Sequence, residues 1–119
     1  MARDIDGIEI ITLRVRDLVR AGNLQLGRRT RGTISVSDGT EVSAAVGYVA
    51  DLTDPDAMWM RLSYVFGDNE RWAVRDEVYR VVTTRPGFRG RRYWLESDGR
   101  RRSLWRVPIG AEAVDPLRR

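Results

Sequence analysis

Between Arg85 and Arg106, eight arginines interleave with four aromatic residues. The arginines are Arg85, Arg89, Arg91, Arg92, Arg100, Arg101, Arg102 and Arg106, and the aromatics are Phe88, Tyr93, Trp94 and Trp105. A guanidinium carries a permanent charge and a planar fork of N–H donors. It therefore pairs with phosphate or carboxylate and stacks on rings. Small β domains hold single-stranded nucleic acid with this set: arginines follow the phosphates, and aromatic rings on strand faces stack the bases. The candidate interface is Arg85, Phe88, Arg89, Arg91, Arg92, Trp94, Arg100, Arg101, Arg102 and Trp105. Its expected partner is nucleic acid, with an acidic protein surface as the alternative. The competing reading is packing, with Trp94 and Trp105 in the core and the arginines on a solvated face.

Three smaller groupings carry less. Gly87-Phe88-Arg89-Gly90-Arg91-Arg92 is a basic loop whose amides can face a phosphate, but its spacing fits neither a P-loop nor a dinucleotide fingerprint. An exposed arginine turn is the plainer reading. Gly27-Arg28-Arg29-Thr30-Arg31-Gly32 is a second basic loop, and it extends the first patch only if the fold brings the two together. Asp51, Asp54 and Asp56 cluster around Pro55 without the spacing or the glycine of a calcium loop, which reads as a solvated turn.

What is missing narrows the chemistry further. The chain has no His and no Cys. That removes the usual general base near neutral pH, the thiolate nucleophile and every nitrogen or sulfur zinc ligand. Only carboxylate chemistry, with or without Mg²⁺, is left to an enzyme. The expectation is a non-enzymatic protein with no cofactor and no metal.

The elements that must position these residues read as strands. Ile8–Val15, Thr30–Val36, Glu41–Leu52 and Met58–Phe66 are β-branched or alternating, and turns at Ser37-Asp38-Gly39, Thr53-Asp54-Pro55-Asp56 and Gly67-Asp68-Asn69 separate them. In Met58–Phe66, Trp59 falls on the face opposite Met58 and Met60; it too is assigned to the core, and anchors a partner only if that face of the strand meets solvent. Tyr48, Tyr64, Phe66 and Trp72 are assigned to the core. Arg16–Ala21 suits a short helix with Asp17 near its start and Gly22 as its stop. Arg71–Thr84 fits helix or strand, with strand propensity at Val78–Thr84. After Arg85-Pro86-Gly87, a hairpin of Arg91–Ser97 and Arg101–Ile109 turns on Ser97-Asp98-Gly99. The fold class is thus all-β or β-dominated: a small antiparallel barrel or sandwich of six to seven strands with one short N-terminal helix. One β-rich domain is expected over 1–109, and 110–119 is expected as a flexible tail with little to bury.

Charge is divided along the chain. Residues 1–77 hold 10 arginines against 13 acids, whereas residues 78–119 hold 11 against 4. All 21 basic residues are arginine. No apolar run approaches the roughly 18 residues of a membrane span, and the N-terminus lacks a signal-peptide pattern. A cytoplasmic protein without a membrane partner is expected.

Three segments carry a resemblance. Arg16-Asp17-Leu18-Val19-Arg20-Ala21-Gly22-Asn23-Leu24-Gln25-Leu26-Gly27 is similar to a "DLxRAGxLxxG" pattern. Thr84-Arg85-Pro86-Gly87-Phe88-Arg89-Gly90-Arg91-Arg92-Tyr93-Trp94-Leu95 is similar to "tPxxFGGxRxWF", and Gly99-Arg100-Arg101-Arg102-Ser103-Leu104-Trp105 to "GRRVxxLY". In that order they resemble small uncharacterised proteins of proteobacterial genomes and mobile elements that carry a C-terminal zinc-ribbon knuckle. Where those proteins place a cysteine pair, this chain has Leu95-Glu96-Ser97-Asp98-Gly99, so the resemblance implies no zinc. It implies a phage or mobile-element setting. There, an inhibitor of a host defence complex is the alternative to nucleic-acid binding.

Overall fold

Strict alternation builds the strands that form most of this fold. The computed structural model describes residues 2–3, 9–37, 42–67, 72–85 and 90–117. Of the turns expected at Ser37-Asp38-Gly39, Gly67-Asp68-Asn69 and Arg85-Pro86-Gly87, all but the first residue of each lies outside the described residues, as do the candidate side chains Phe88 and Arg89.

The chain runs β1 (Ala2–Arg3), β2 (Glu9–Arg14), α1 (Val15–Arg20), β3 (Arg29–Ser37), β4 (Val42–Asp51) and β5 (Trp59–Gly67), followed by β6 (Trp72–Thr84), β7 (Arg92–Ser97), β8 (Arg100–Arg102), β9 (Leu104–Pro108) and β10 (Glu112–Ala113). Arg71–Thr84, open between helix and strand in sequence, is strand from Trp72 onward. The β-dominated antiparallel class stands, with its one short helix near the N-terminus. That helix ends where the backbone passes through Gly22 at φ +84°, a conformation open to glycine.

The large sheet runs β3-β4-β5-β6-β7-β8 as an open path, so no barrel closes. A small sheet, β1-β2-β9, lies apart from it in pairing but shares its core. Ile11, Leu13, Trp105 and Val107 from the small sheet join Val46, Tyr48, Met60, Leu62, Tyr64, Val81 and Leu95 from the large one, and Val15 and Leu18 of α1 complete the cluster. Trp105 meets Tyr64 edge-on, with ring centroids 6.1 Å apart. The core is therefore two layers of strand with a short helix at one side.

The expected final strand, Arg101–Ile109, is broken in two. β8 stays with β7, while β9 leaves at Ser103 to pair with β2. The Ser103 carbonyl accepts the N–H of Val15 at 2.9 Å, which ties the break to the start of the helix. The turn before it is the expected one. Asp98 and Gly99 both take positive φ, 51° and 74°, as a two-residue hairpin turn requires.

The segment after Gly110 is built into the sheet. β4 and β5 pair only from Gly47–Asp51 to Trp59–Ser63 and then part. Unpaired strand edges facing each other inside a sheet would leave amides and carbonyls without partners. Residues 111–114 fill the gap: Ala45 N–H donates to the Ala111 carbonyl, Val114 N–H donates to the Ser63 carbonyl, and β10 pairs with Val65 and Tyr64. Ala111 is 3% exposed, and Asp115 pairs with Arg31 at 3.0 Å. The expectation that this stretch has little to bury does not hold for Ala111 or for the buried Pro116.

Candidate nucleic-acid interface

Alternation along the strands decides which candidate residues share a face. On the large sheet, one face meets the core and the other faces outward. The register places Trp59, Arg80 and Glu96 in one cross-strand row, with Arg101 beyond Glu96. Val82 and Trp94 make the next row on the same outward face, and Thr84 and Arg92 the one after. Tyr93 and Leu95 point the other way, toward the core. Of the two tryptophans proposed for stacking, Trp105 is 6% exposed and packed among core residues. Burial removes it from any interface. Trp94 is half-buried on the outer face, and its indole N–H donates to Thr84 Oγ1 at 3.0 Å.

Trp94 already has a partner for its ring. The Arg92 guanidinium lies over it, 4.2 Å from the centroid. Stacking occupies the face of a guanidinium but leaves its in-plane N–H donors pointing outward. Trp94 thus acts as a platform that fixes an arginine, whereas the sequence suggested a platform for a base.

The remaining hairpin arginines divide by their partners. Arg101 is bound to Glu96 at 3.3 Å. Arg85, Arg91, Arg92, Arg100 and Arg102 are exposed and have no carboxylate partner among the described residues. Arg85, Arg91 and Arg92 sit where β6 and β7 meet at the Thr84–Arg92 pair, and Arg100 and Arg102 lie on β8, an edge of the sheet. Along β7 these two groups stand about 10–20 Å apart. Arg106 is exposed on the small sheet, paired with Thr12.

Elsewhere on the outer face Arg80 is exposed without a carboxylate partner among the described residues, whereas other arginines are neutralised. Arg29 lies 3.7 Å from Asp51 and also over the Trp59 ring at 5.7 Å, Arg31 meets Asp115, and Arg61 holds Asp76 through two N–H donors. The basic loop at 27–32 therefore does not extend the hairpin patch. It leads into β3, at the opposite edge of the sheet from β8, and two of its three arginines, Arg29 and Arg31, are spent on local acids. Asp51 also accepts from the Thr53 hydroxyl and N–H, and Asp54 accepts from the Asp56 N–H, as a capped solvated turn does.

The Arg61–Asp76 pair has a pH consequence. The hydrogen bonds from Arg61 hold the Asp76 carboxyl below its ordinary value of 3.8, with Ser63 adding a smaller share against the cost of burial. A lowered folded-state pKa means this carboxylate stabilises the fold above the unfolded pKa, and the contribution is lost as pH falls through the folded one. Asp76→Asn is expected to lower stability at pH 7 by less than about 1 kcal/mol, the pair being largely exposed, and to converge on the unmodified protein as pH falls toward about 2. Urea midpoints measured from pH 2 to 7 check this.

Sequence reasoning missed one outward feature. Trp72, assigned to the core, is 65% exposed, and Val74 and Val78 beside it on β6 are 69% and 60% exposed. The signal was present in Trp72-Ala73-Val74-Arg75-Asp76-Glu77-Val78, where the large apolar residues share one parity, but no turn fixed which parity faced the core. Trp59 sits on the outer face as its parity required, half-buried under Arg29.

No protein-family model matches the chain, and no curated protein or solved structure matches it. No helix among the described residues is long and apolar enough to cross a membrane.

Proposed function

We propose that this is a non-catalytic binding domain that takes a nucleic-acid strand by its phosphates along the β7–β8 hairpin. The observation that carries the reading is Arg92 held over Trp94 with Arg85 and Arg91 close by, and Arg100 and Arg102 farther along the hairpin, all five without carboxylate partners among the described residues. A fixed guanidinium loses little freedom when it meets a phosphate, and clustered unpaired charge releases counterions when a polyanion binds. Base stacking has a small part in this reading, since Trp105 is in the core and Trp94 is capped. Recognition is accordingly of the backbone, with weak sequence preference.

The test is fluorescence anisotropy of short labelled single-stranded DNA, single-stranded RNA and duplex DNA against the full chain at low salt. Saturable binding to at least one of them is expected. Failure of all three at low salt overturns the reading. An acidic protein captured from nuclease-treated lysate by the same arginines would turn the partner from nucleic acid to protein.

A further inference from the structure

β6 is longer than either of its neighbours. Its residues Trp72–Arg80 pair with β5 along one edge, but along the other edge β7 pairs only from Arg80 to Thr84. The second edge of residues 72–79 therefore has no strand partner among the described residues. Open edges of this kind are templates for another strand, above all when they carry exposed apolar side chains. This edge carries Trp72, Val74 and Val78.

We infer that a second copy of this chain occupies the edge, its β6 antiparallel to the first about a two-fold axis at Asp76. The edge is self-complementary in this register. With the axis at Asp76, Val74 faces Val78 of the partner copy, and Arg75 faces Glu77, each pair occurring twice. Apolar residues then meet on the outer face and opposite charges on the inner one, both favourable cross-strand pairings. The facing Asp76 carboxylates each already hold an Arg61 guanidinium, so they meet as neutralised pairs. Moving the axis one residue toward the N-terminus would set Arg75 against Arg75 and Val74 against Asp76. Charge balance also favours this place for self-association. Arg61–Asp76 is compensated, whereas the hairpin edge β8 is three consecutive arginines that repel a second copy.

The chain has no cysteine, so introduced thiols report the register directly. Residues 74 and 78 are exposed, and replacing either leaves the core untouched. Opposite residues in an antiparallel pair stand about 4.5–5.5 Å apart at Cα, within disulfide reach. Identical positions 74 and 74 would be offset by four residues, about 13 Å, and out of reach. A mixture of Val74→Cys and Val78→Cys chains under mild oxidation should give a covalent dimer. Either variant alone should give about tenfold less, since only the mixed pair meets disulfide geometry. Light scattering on the unmodified chain at high concentration should show dimer that Arg75→Glu abolishes. Equal cross-linking by either single variant, or a wild-type mass that stays monomeric at high concentration, would overturn the inference.

Discussion

Gly47→Ala is expected to destabilise the protein by about 3 kcal/mol. A Cβ added at Gly47 would stand 1.9 Å from the carbonyl oxygen of Val114 and 2.8 Å from its carbonyl carbon. Both are backbone atoms, so no side chain can swing aside to make room. The tail would have to lift away. That breaks the hydrogen bond from Val114 to Ser63 and moves Pro116, whose Cδ is 3.3 Å from the same point. For a chain of this size the loss corresponds to a fall in Tm on the order of 10 °C. The cause is separable from any effect of Ala on strand propensity. In a chain truncated after Ile109, Gly47→Ala should cost less than about 0.5 kcal/mol, since the crossing backbone is gone. Chemical denaturation of the four proteins in this cycle checks the coupling, and additive effects would mean that the tail does not cross at Gly47.

Reversing Arg100 and Arg102 to Glu is expected to weaken nucleic-acid binding by about a hundredfold or more at low salt. Both side chains sit on a sheet edge, neither has a carboxylate partner among the described residues, and neither belongs to the buried core. The fold should therefore survive the change. A matched control is Arg29→Glu with Arg31→Glu, which shifts net charge by the same amount at the opposite edge. Those arginines are already engaged by Asp51 and Asp115, so binding should fall far less. Equal losses in the two variants would mean that affinity follows overall charge and that no hairpin site exists.

Much of the strand content was legible because side-chain parity is a strong signal where one face is buried. Met60, Leu62 and Tyr64 announced β5, and Tyr48 and Ala50 its neighbour. The hairpin turn was written in Asp98-Gly99 and the helix stop in Gly22. The pairing of the C-terminal residues was not legible, for a physical reason. β10 is held by backbone hydrogen bonds and by a small residue, Ala111, which leave no periodic pattern in the side chains. The break at Ser103 was equally silent, since one apolar-polar alternation continues through Leu104–Val107 while the strand changes sheet.

The candidate site was legible in composition and not in arrangement. Eight arginines close in sequence looked like one field. Strand alternation divided them between two sides of β8 and two sheets, and Glu96 removed Arg101. Arg101 is separated from Arg100 and Arg102 by parity and then bound by Glu96. Trp94 and Trp105 looked equivalent, yet Trp105 shares parity with Val107 and enters the core. Trp94 shares parity with Arg92 and Glu96 and stays outside. Cross-strand register, which brings Thr84 beside Arg92 and Trp94, is set by tertiary pairing, and the order of residues alone does not contain it.

The most direct measurement is the salt dependence of single-strand binding by the wild-type hairpin. Contact of phosphates with the five arginines that have no carboxylate partner among the described residues predicts a log–log slope of affinity against salt of about −3 to −4, becoming shallower by about 1.4 in Arg100→Glu/Arg102→Glu. A slope near zero, or one that the double variant leaves unchanged, would contradict the assignment of these arginines to phosphate.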